Sequence, residues 1–167
     1  MYKRTYFDTY DGPGWPDPSW LAPYFLTDAG RRRAFDDDND SWSLNVDGLE
    51  GTEHLPQWNG RIDIMLTIVG NLEHGVLLCH QKFGPNGIGH YSRSDLRRLR
   101  EYVETKQDAV MPVGLFIPFE RAWDAIKEFM ETDGALPKSI PWIAVPDLPK
   151  DAFPDPYYYF RGLKKPE

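Results

Sequence analysis

Residues 61–83, RIDIMLTIVGNLEHGVLLCHQKF, decide the fold class. Every second residue from Ile62 to Ile68 is a large aliphatic, which is the period of a strand with one buried face. A Gly70-Asn71 turn follows, and residues 74–83 are apolar on both faces, as in a central strand. The stretch therefore predicts an antiparallel hairpin inside a larger sheet.

Further strands are predicted on both sides of this hairpin. Trp42, Leu44 and Val46 alternate with polar residues, the pattern of another half-buried strand. Residues 2–10 are rich in Tyr, Thr and Phe, which favour strands, and residues 110–117 predict a further one. The Gly- and Pro-rich stretch 11–18 predicts a loop.

Two main helices are predicted in the C-terminal half. Residues 119–131 place apolar side chains at the i, i+3, i+4 and i+7 spacing of an amphipathic helix, which Gly134 and then Pro137 would end. Ser92 with Asp95 matches a capping box, so a second helix is expected after it. A shorter helix capped by Ser19 is expected within residues 19–35.

These elements predict an α+β fold: an antiparallel β-sheet with the two main helices packed on one face. Few strands are separated by the crossover helices that a parallel sheet needs. The 167 residues are one ordinary domain. We find no internal repeat and no linker.

Charge and composition exclude several function classes. A formal charge of −7 argues against direct binding of nucleic acid, which needs a basic footprint. The single cysteine excludes an intrachain disulfide. No apolar stretch resembles a signal peptide or a membrane span, so we expect a cytoplasmic protein without membrane contact.

The sequence offers few groups with chemistry. Asp36, Asp38 and Asp40 resemble the start of a calcium loop, but Ser41 and Asp47 stand where that loop needs Gly and Glu. We therefore expect no metal, no cofactor and no catalytic residue. Two alternatives stay open. One is a small enzyme or ligand-binding domain with a loop-built site near Cys79 and His80, or His90. The other is an interaction domain stabilised by calcium.

The C-terminal half resembles a known family. A strand over residues 111–117, the helix over 119–130, Gly134, Pro137 and Trp142 together are similar to the closing motif of the Imm1 family. The resemblance covers roughly residues 41–148 and is clearest over 111–142. It divides the single domain 1–167 into a loop-rich arm, 1–40, an immunity-like core, 41–148, and a tail rich in Pro and aromatic residues, 149–167.

The resemblance implies a bacterial immunity protein that inhibits by binding. Its partner would be the C-terminal domain of a cognate toxin, one acting on nucleic acid, such as a deaminase or nuclease. A basic toxin groove would attract carboxylates, and an exposed Trp is a strong interface anchor. The toxin-binding residues that we predict are Asp36, Asp37, Asp38, Asp40, Glu50, Glu53 and Trp58. Other aromatic residues, at 15, 20 and 157–160, could cap the core, or serve a toxin contact or a homodimer.

Overall fold

The structure is a computed structural model that describes residues 1–154. The aromatic run 157–160 and the larger part of the predicted tail, 149–167, lie outside the described residues. The strands in the described part are β1 (Tyr2–Phe7), β2 (Tyr10–Pro13), β3 (Ser41–Leu49), β4 (Ile62–Asn71), β5 (Gly75–Phe83), β6 (Gly89–Ser92), β7 (Tyr102–Glu104), β8 (Val110–Pro112), β9 (Phe116–Ile117) and β10 (Trp142–Ala144). The α-helices there are α1 (Pro18–Leu21), α2 (Pro23–Leu26), α3 (Asp28–Phe35) and α4 (Phe119–Glu131).

An antiparallel sheet forms the centre of the molecule. Its order is β10-β6-β5-β4-β3-β1-β2, and β9 pairs with the start of β5. The predicted hairpin is β4 and β5, in register with Leu66 opposite His80. Strands β7 and β8 form a separate two-stranded sheet.

Apolar clusters cover both faces of the sheet. On one face, α4 buries six residues, among them Trp123, Ile126 and Phe129, and the same cluster takes in Phe25 of α2 and Phe35 of α3. The other face packs under Leu99, β8 and the 3-10 turn Val113–Leu115. The antiparallel α+β prediction is confirmed.

The second main helix is not formed, and that prediction was wrong. Ser92 ends β6 instead of capping a helix, and its buried hydroxyl accepts the Leu78 N–H (2.9 Å) and donates to the Leu115 carbonyl (2.7 Å). A 3-10 turn and strand β7 follow. The backbone of Ser94 and Asp95 donates to Gly114, so tertiary pairing takes up the donors that a helix would use.

Smaller differences concern the N-terminal region and residues 110–117. The first predicted strand is a hairpin, β1 with β2, which extends into the predicted loop. Residues 18–35 form three short helices, and the first cap is Asp17, not Ser19. Residues 110–117 are divided between β8, a 3-10 turn and β9. No helix within residues 1–154 combines the length and apolar character that crossing a bilayer requires.

Candidate functional site

The acidic loop, residues 36–40, connects α3 to β3. Its Asp36, Asp37 and Asp38 are exposed, whereas Asp40 is buried, with only 5% exposure. The Asp40 carboxylate accepts the Lys106 N–H at 2.9 Å and the Ser41 hydroxyl at 3.2 Å. Burial outweighs these bonds and raises the pKa of Asp40. Asp40 is thus an internal anchor of the loop, while its three neighbours face solvent.

The turn between β7 and β8 holds the acidic loop in place. Lys106 Nζ lies 3.4 Å from the Asp36 carboxylate, and the Gln107 amide donates to Asn39 Oδ1 at 2.8 Å. Within the described residues, Asp37 and Asp38 make no ion pair or side-chain hydrogen bond. The loop therefore presents two uncompensated carboxylates on a fixed backbone.

The loop between β3 and β4, residues 50–61, contains the other predicted binding residues. Glu50 has no ion pair in the described part of the chain, whereas Glu53 pairs with the N-terminal amino group of Met1. The Trp58 side chain is 88% exposed. Thr52 shapes the loop, because its hydroxyl donates to Leu49 and accepts the Ile62 N–H. Trp58 is the most exposed large apolar side chain of residues 1–154.

The two predicted groups lie at opposite ends of β3. The acidic loop precedes Ser41, the first residue of the strand, and the 50–61 loop follows Leu49, the last. At about 3.3 Å per residue this strand separates the groups by roughly 26 Å. A standard interface of about 800 Å² per partner is roughly 30 Å across. The structure therefore does not gather the predicted residues into one compact patch, but one partner could span both groups.

A cavity of about 370 Å³ opens beside the 50–61 loop, and we name it the strand-end cavity. It lies on the face of the sheet that α4 covers, past the point where α4 ends. Its walls come from the strands β4 and β5, the turn after α4, and Glu50. Polar side chains lining it are Glu50, His80, Lys82, His90, Thr132 and Asp133.

His80 and His90 are direct cross-strand neighbours in the wall of the cavity. His80 is almost fully buried, and its Nε2 lies 2.8 Å from the Gly134 carbonyl, which can only accept. Nε2 is therefore assigned the proton, and Nδ1 is a lone-pair acceptor with no partner in the described residues. Desolvation lowers the pKa of both histidines.

Cys79 does not share this site with His80. It belongs to the apolar cluster on the opposite face of the sheet, whereas the His80 ring contacts Phe129 of α4. Burial raises the pKa of the Cys79 thiol to about 12, so the nucleophilic thiolate is not formed near neutral pH. The predicted alternative site therefore loses its nucleophile and keeps only the two histidines.

Metal-binding geometry is absent from the described residues. No group of three or more His, Cys, Asp or Glu side chains in residues 1–154 is placed to hold an ion. The acidic loop contains no such group there, and its Asp40 carboxylate already accepts the Lys106 backbone N–H and the Ser41 hydroxyl.

Sequence reasoning missed the strand-end cavity and the anchoring role of Asp40. His80 and His90 come together only through the β5–β6 register, and Asp133 joins them from the turn after α4. The one local signal for the cavity was Gly134, which was predicted to end the helix. This glycine has a φ of +98° in the turn that borders the cavity.

Comparison with known proteins gave one match. The family model described as immunity protein Imm1 matches residues 32–144, which include the acidic loop, the central strands and α4. No curated protein and no solved structure matched significantly.

Proposed function

Because this chain belongs to the Imm1 family of immunity proteins, we propose that it binds a cognate bacterial toxin domain and blocks it by occlusion. The toxin that fits best acts on nucleic acid, as a deaminase or nuclease does. Binding would be stoichiometric and would need no chemistry from this chain. The family match over residues 32–144 is the observation on which the proposal rests.

Charge supports a basic partner surface. The chain has a formal charge of −7, and Asp37 and Asp38 are exposed without an ion pair in the described residues. A toxin that acts on nucleic acid needs a basic groove for phosphates. Opposite charge on the two surfaces accelerates their encounter and selects the groove as the place of contact.

The exposed aromatic group supports a protein interface at the other end of β3. Trp residues contribute strongly when a contact removes them from water, and Trp58 is 88% exposed in the free chain. We include Glu50 and Glu53 from the same loop, with Asp36, Asp37 and Asp38 as direct contacts and Asp40 as the loop's anchor. The expected interface buries about 1,200–2,000 Å² in total.

The alternative, a small enzyme or ligand-binding domain, has less support. Its candidate nucleophile Cys79 is buried with a pKa of about 12 and lies on the other face from His80. The strand-end cavity is the feature that favours ligand binding, and its occupant is taken up below.

A protection assay tests the proposed function. A candidate cognate toxin domain is expressed in a sensitive host, with and without the chain. We expect the chain to restore growth and to elute with the toxin as a one-to-one complex. Toxicity that is unchanged despite soluble expression of both proteins would contradict the proposal.

Charge reversal tests the acidic loop within that complex. The variant D37K/D38K should associate more slowly at low salt, by roughly three- to tenfold. Its control for net charge is D124K/D151K, at two carboxylates that are about half exposed, each paired with one arginine, and outside both loops. Either double variant changes the formal charge from −7 to −3, because each exchange removes a negative and adds a positive charge. Equal slowing by both would assign the effect to net charge and remove the loop from the interface.

A further inference from the structure

The strand-end cavity exists because α4 is shorter than the sheet beneath it. The helix ends at Glu131, and the chain turns through Asp133 and Gly134, whose φ values are +53° and +98°. Strands β4 and β5 continue past this turn and leave Ile62 and Ile64 as part of the cavity wall. An apolar wall is therefore open beside a loop in which we already expect toxin contacts.

Two carboxylates, those of Glu50 and Asp133, line the cavity. Glu50 is exposed and makes no ion pair in the described residues. The unpaired Nδ1 of His80 is itself buried and does not face the open part of the cavity. One oxygen of Asp133 lies 2.7 Å from Lys3 Nζ. The last turn of α4 contains no basic residue, so the negative end of its dipole is not compensated within the helix.

Positive charge in the described lining comes from Lys82 alone. Its ammonium group makes no ion pair within residues 1–154. His80 and His90 are neutral at pH 7, because desolvation lowers their pKa values from an ordinary 6.5. The lining is thus mainly apolar, with the unpaired Glu50 carboxylate, the Asp133 carboxylate paired with Lys3, and the Lys82 ammonium group.

We propose that the strand-end cavity receives an arginine side chain of the bound toxin. The aliphatic stem of arginine packs against apolar walls while its head stays polar. The guanidinium group has five donors and no acceptor, which matches the exposed Glu50 carboxylate and the uncompensated C-terminal end of α4. A cavity of about 370 Å³ is at the lower end of the size range of binding pockets.

This inference rests on the proposed function and adds the chemistry of the partner residue. A basic toxin surface supplies arginine, and arginine buried at the centre of an interface is a frequent hot spot. Lys82 allows the charge of the occupant to be tested. Its ammonium group repels a cationic occupant and attracts an anionic one, so its removal should strengthen binding of a cation.

The test uses N-acetyl-arginine amide as a probe, with the full chain observed by proton NMR. We expect saturable shifts of the C2–H signals of His80 and His90. His74, which lines a different cavity of about 360 Å³ at the other end of β5, is the internal control. N-acetyl-glutamate amide and N-acetyl-tyrosine amide should bind at least fivefold more weakly. Preference for either, or equal shifts of His74, would overturn the inference.

Substitutions in the cavity wall test whether the occupant is a cation. E50Q should weaken binding of the arginine probe at least fivefold, and K82M should strengthen it. A135W should fill the cavity and abolish the shifts, while A29W, at an exposed position of α3, should not. Unchanged affinity in E50Q, or weaker binding in K82M, would overturn the inference even if A135W fails to fold.

The protection assay then distinguishes this inference from the proposed function. If wild type protects and A135W binds the toxin at least tenfold more weakly than A29W, both hold. If wild type and A135W protect and bind equally, the function holds and the arginine site is wrong. If wild type gives no protection, the proposed function fails, and with it the assignment of the occupant to a toxin.

Discussion

Asp40 shows how burial gives neighbouring carboxylates different roles. Asp37 and Asp38 are solvated and free to meet a partner, while Asp40 is 5% exposed and accepts hydrogen bonds from Lys106 and Ser41. An ionised carboxylate loses hydration on burial, and two hydrogen bonds return only part of that free energy. The pKa of Asp40 is raised because the lost hydration outweighs these hydrogen bonds.

The titration of Asp40 predicts a pH-dependent difference between wild type and D40N. A folded-state pKa above the unfolded value of 3.8 means that the folded state binds the proton more tightly. The free energy of unfolding of wild type, relative to D40N, should therefore rise as pH falls through the folded pKa towards 3.8. Urea unfolding at intervals from pH 7 to pH 3 measures this difference.

Asp17 is the matched control for this experiment, because its pKa is lowered by hydrogen bonds from Ser19. Wild type should lose stability relative to D17N as pH falls below about 4, the opposite sign. Parallel pH profiles for wild type and D40N would show that Asp40 is not desolvated as the structure has it.

At the scale of elements, the spacing of apolar residues correctly predicted the helix and the strands whose buried face follows a regular period. The α4 helix lies where its apolar spacing indicated, and β3, β4 and β5 follow their alternation. The region after Ser92 has the capping box of a helix, but the backbone donors of Ser94 and Asp95 bond Gly114, and Leu99 packs under the sheet. Such tertiary competition leaves no signal in a single sequence, which is why the second helix was wrongly predicted.

Close packing between α3 and β4 predicts a strong effect of one methyl group. A Cβ at Gly70 would lie 2.2 Å from the ring of Phe35, the last residue of α3. G70A should lower the free energy of unfolding by about 1–3 kcal/mol, because a packed core resists added volume. The acidic loop begins at the residue after Phe35, so its amides should also exchange faster with solvent.

Gly12 supplies the control for this prediction. Nothing lies within 4 Å of a Cβ built there, so G12A should leave urea unfolding and amide exchange in the loop nearly unchanged. If G70A is as stable as G12A, the contact between Phe35 and β4 does not hold the helix.

At the scale of the whole molecule, the length of β3 separates the predicted toxin-binding residues into two surfaces, one at each end of the strand. Sequence reasoning grouped the acidic loop with Glu50, Glu53 and Trp58 because carboxylates suit a basic toxin groove and Trp suits an interface anchor. The strand between them spans about 26 Å, at about 3.3 Å per residue. The cavity formed by His80, His90 and Glu50 depends on strand register and on where α4 ends, and neither can be derived from local pattern.

Two separated surfaces predict two kinetic signatures in the toxin complex. D37K/D38K should lower kon in a salt-dependent way and change koff little, because exposed charges act mainly on encounter. W58A should raise koff about tenfold or more with kon nearly unchanged, because a desolvated aromatic anchor acts after docking. Surface plasmon resonance at two salt concentrations measures both.

Combining the substitutions tests whether one toxin domain spans both ends. Substitutions at sites more than about 10 Å apart change the free energy additively, to within about 0.5 kcal/mol. The triple variant D37K/D38K/W58A should therefore show the sum of the two changes in binding free energy.

W42A would be an unsuitable control for W58A, since Trp42 is buried and its indole N–H donates to the Ala34 carbonyl. L72A is the control, because Leu72 is an exposed apolar residue in the connection between β4 and β5, outside both loops. A silent substitution at one end would confine the toxin to the other end, because a partner that contacts both surfaces must sense the loss of either.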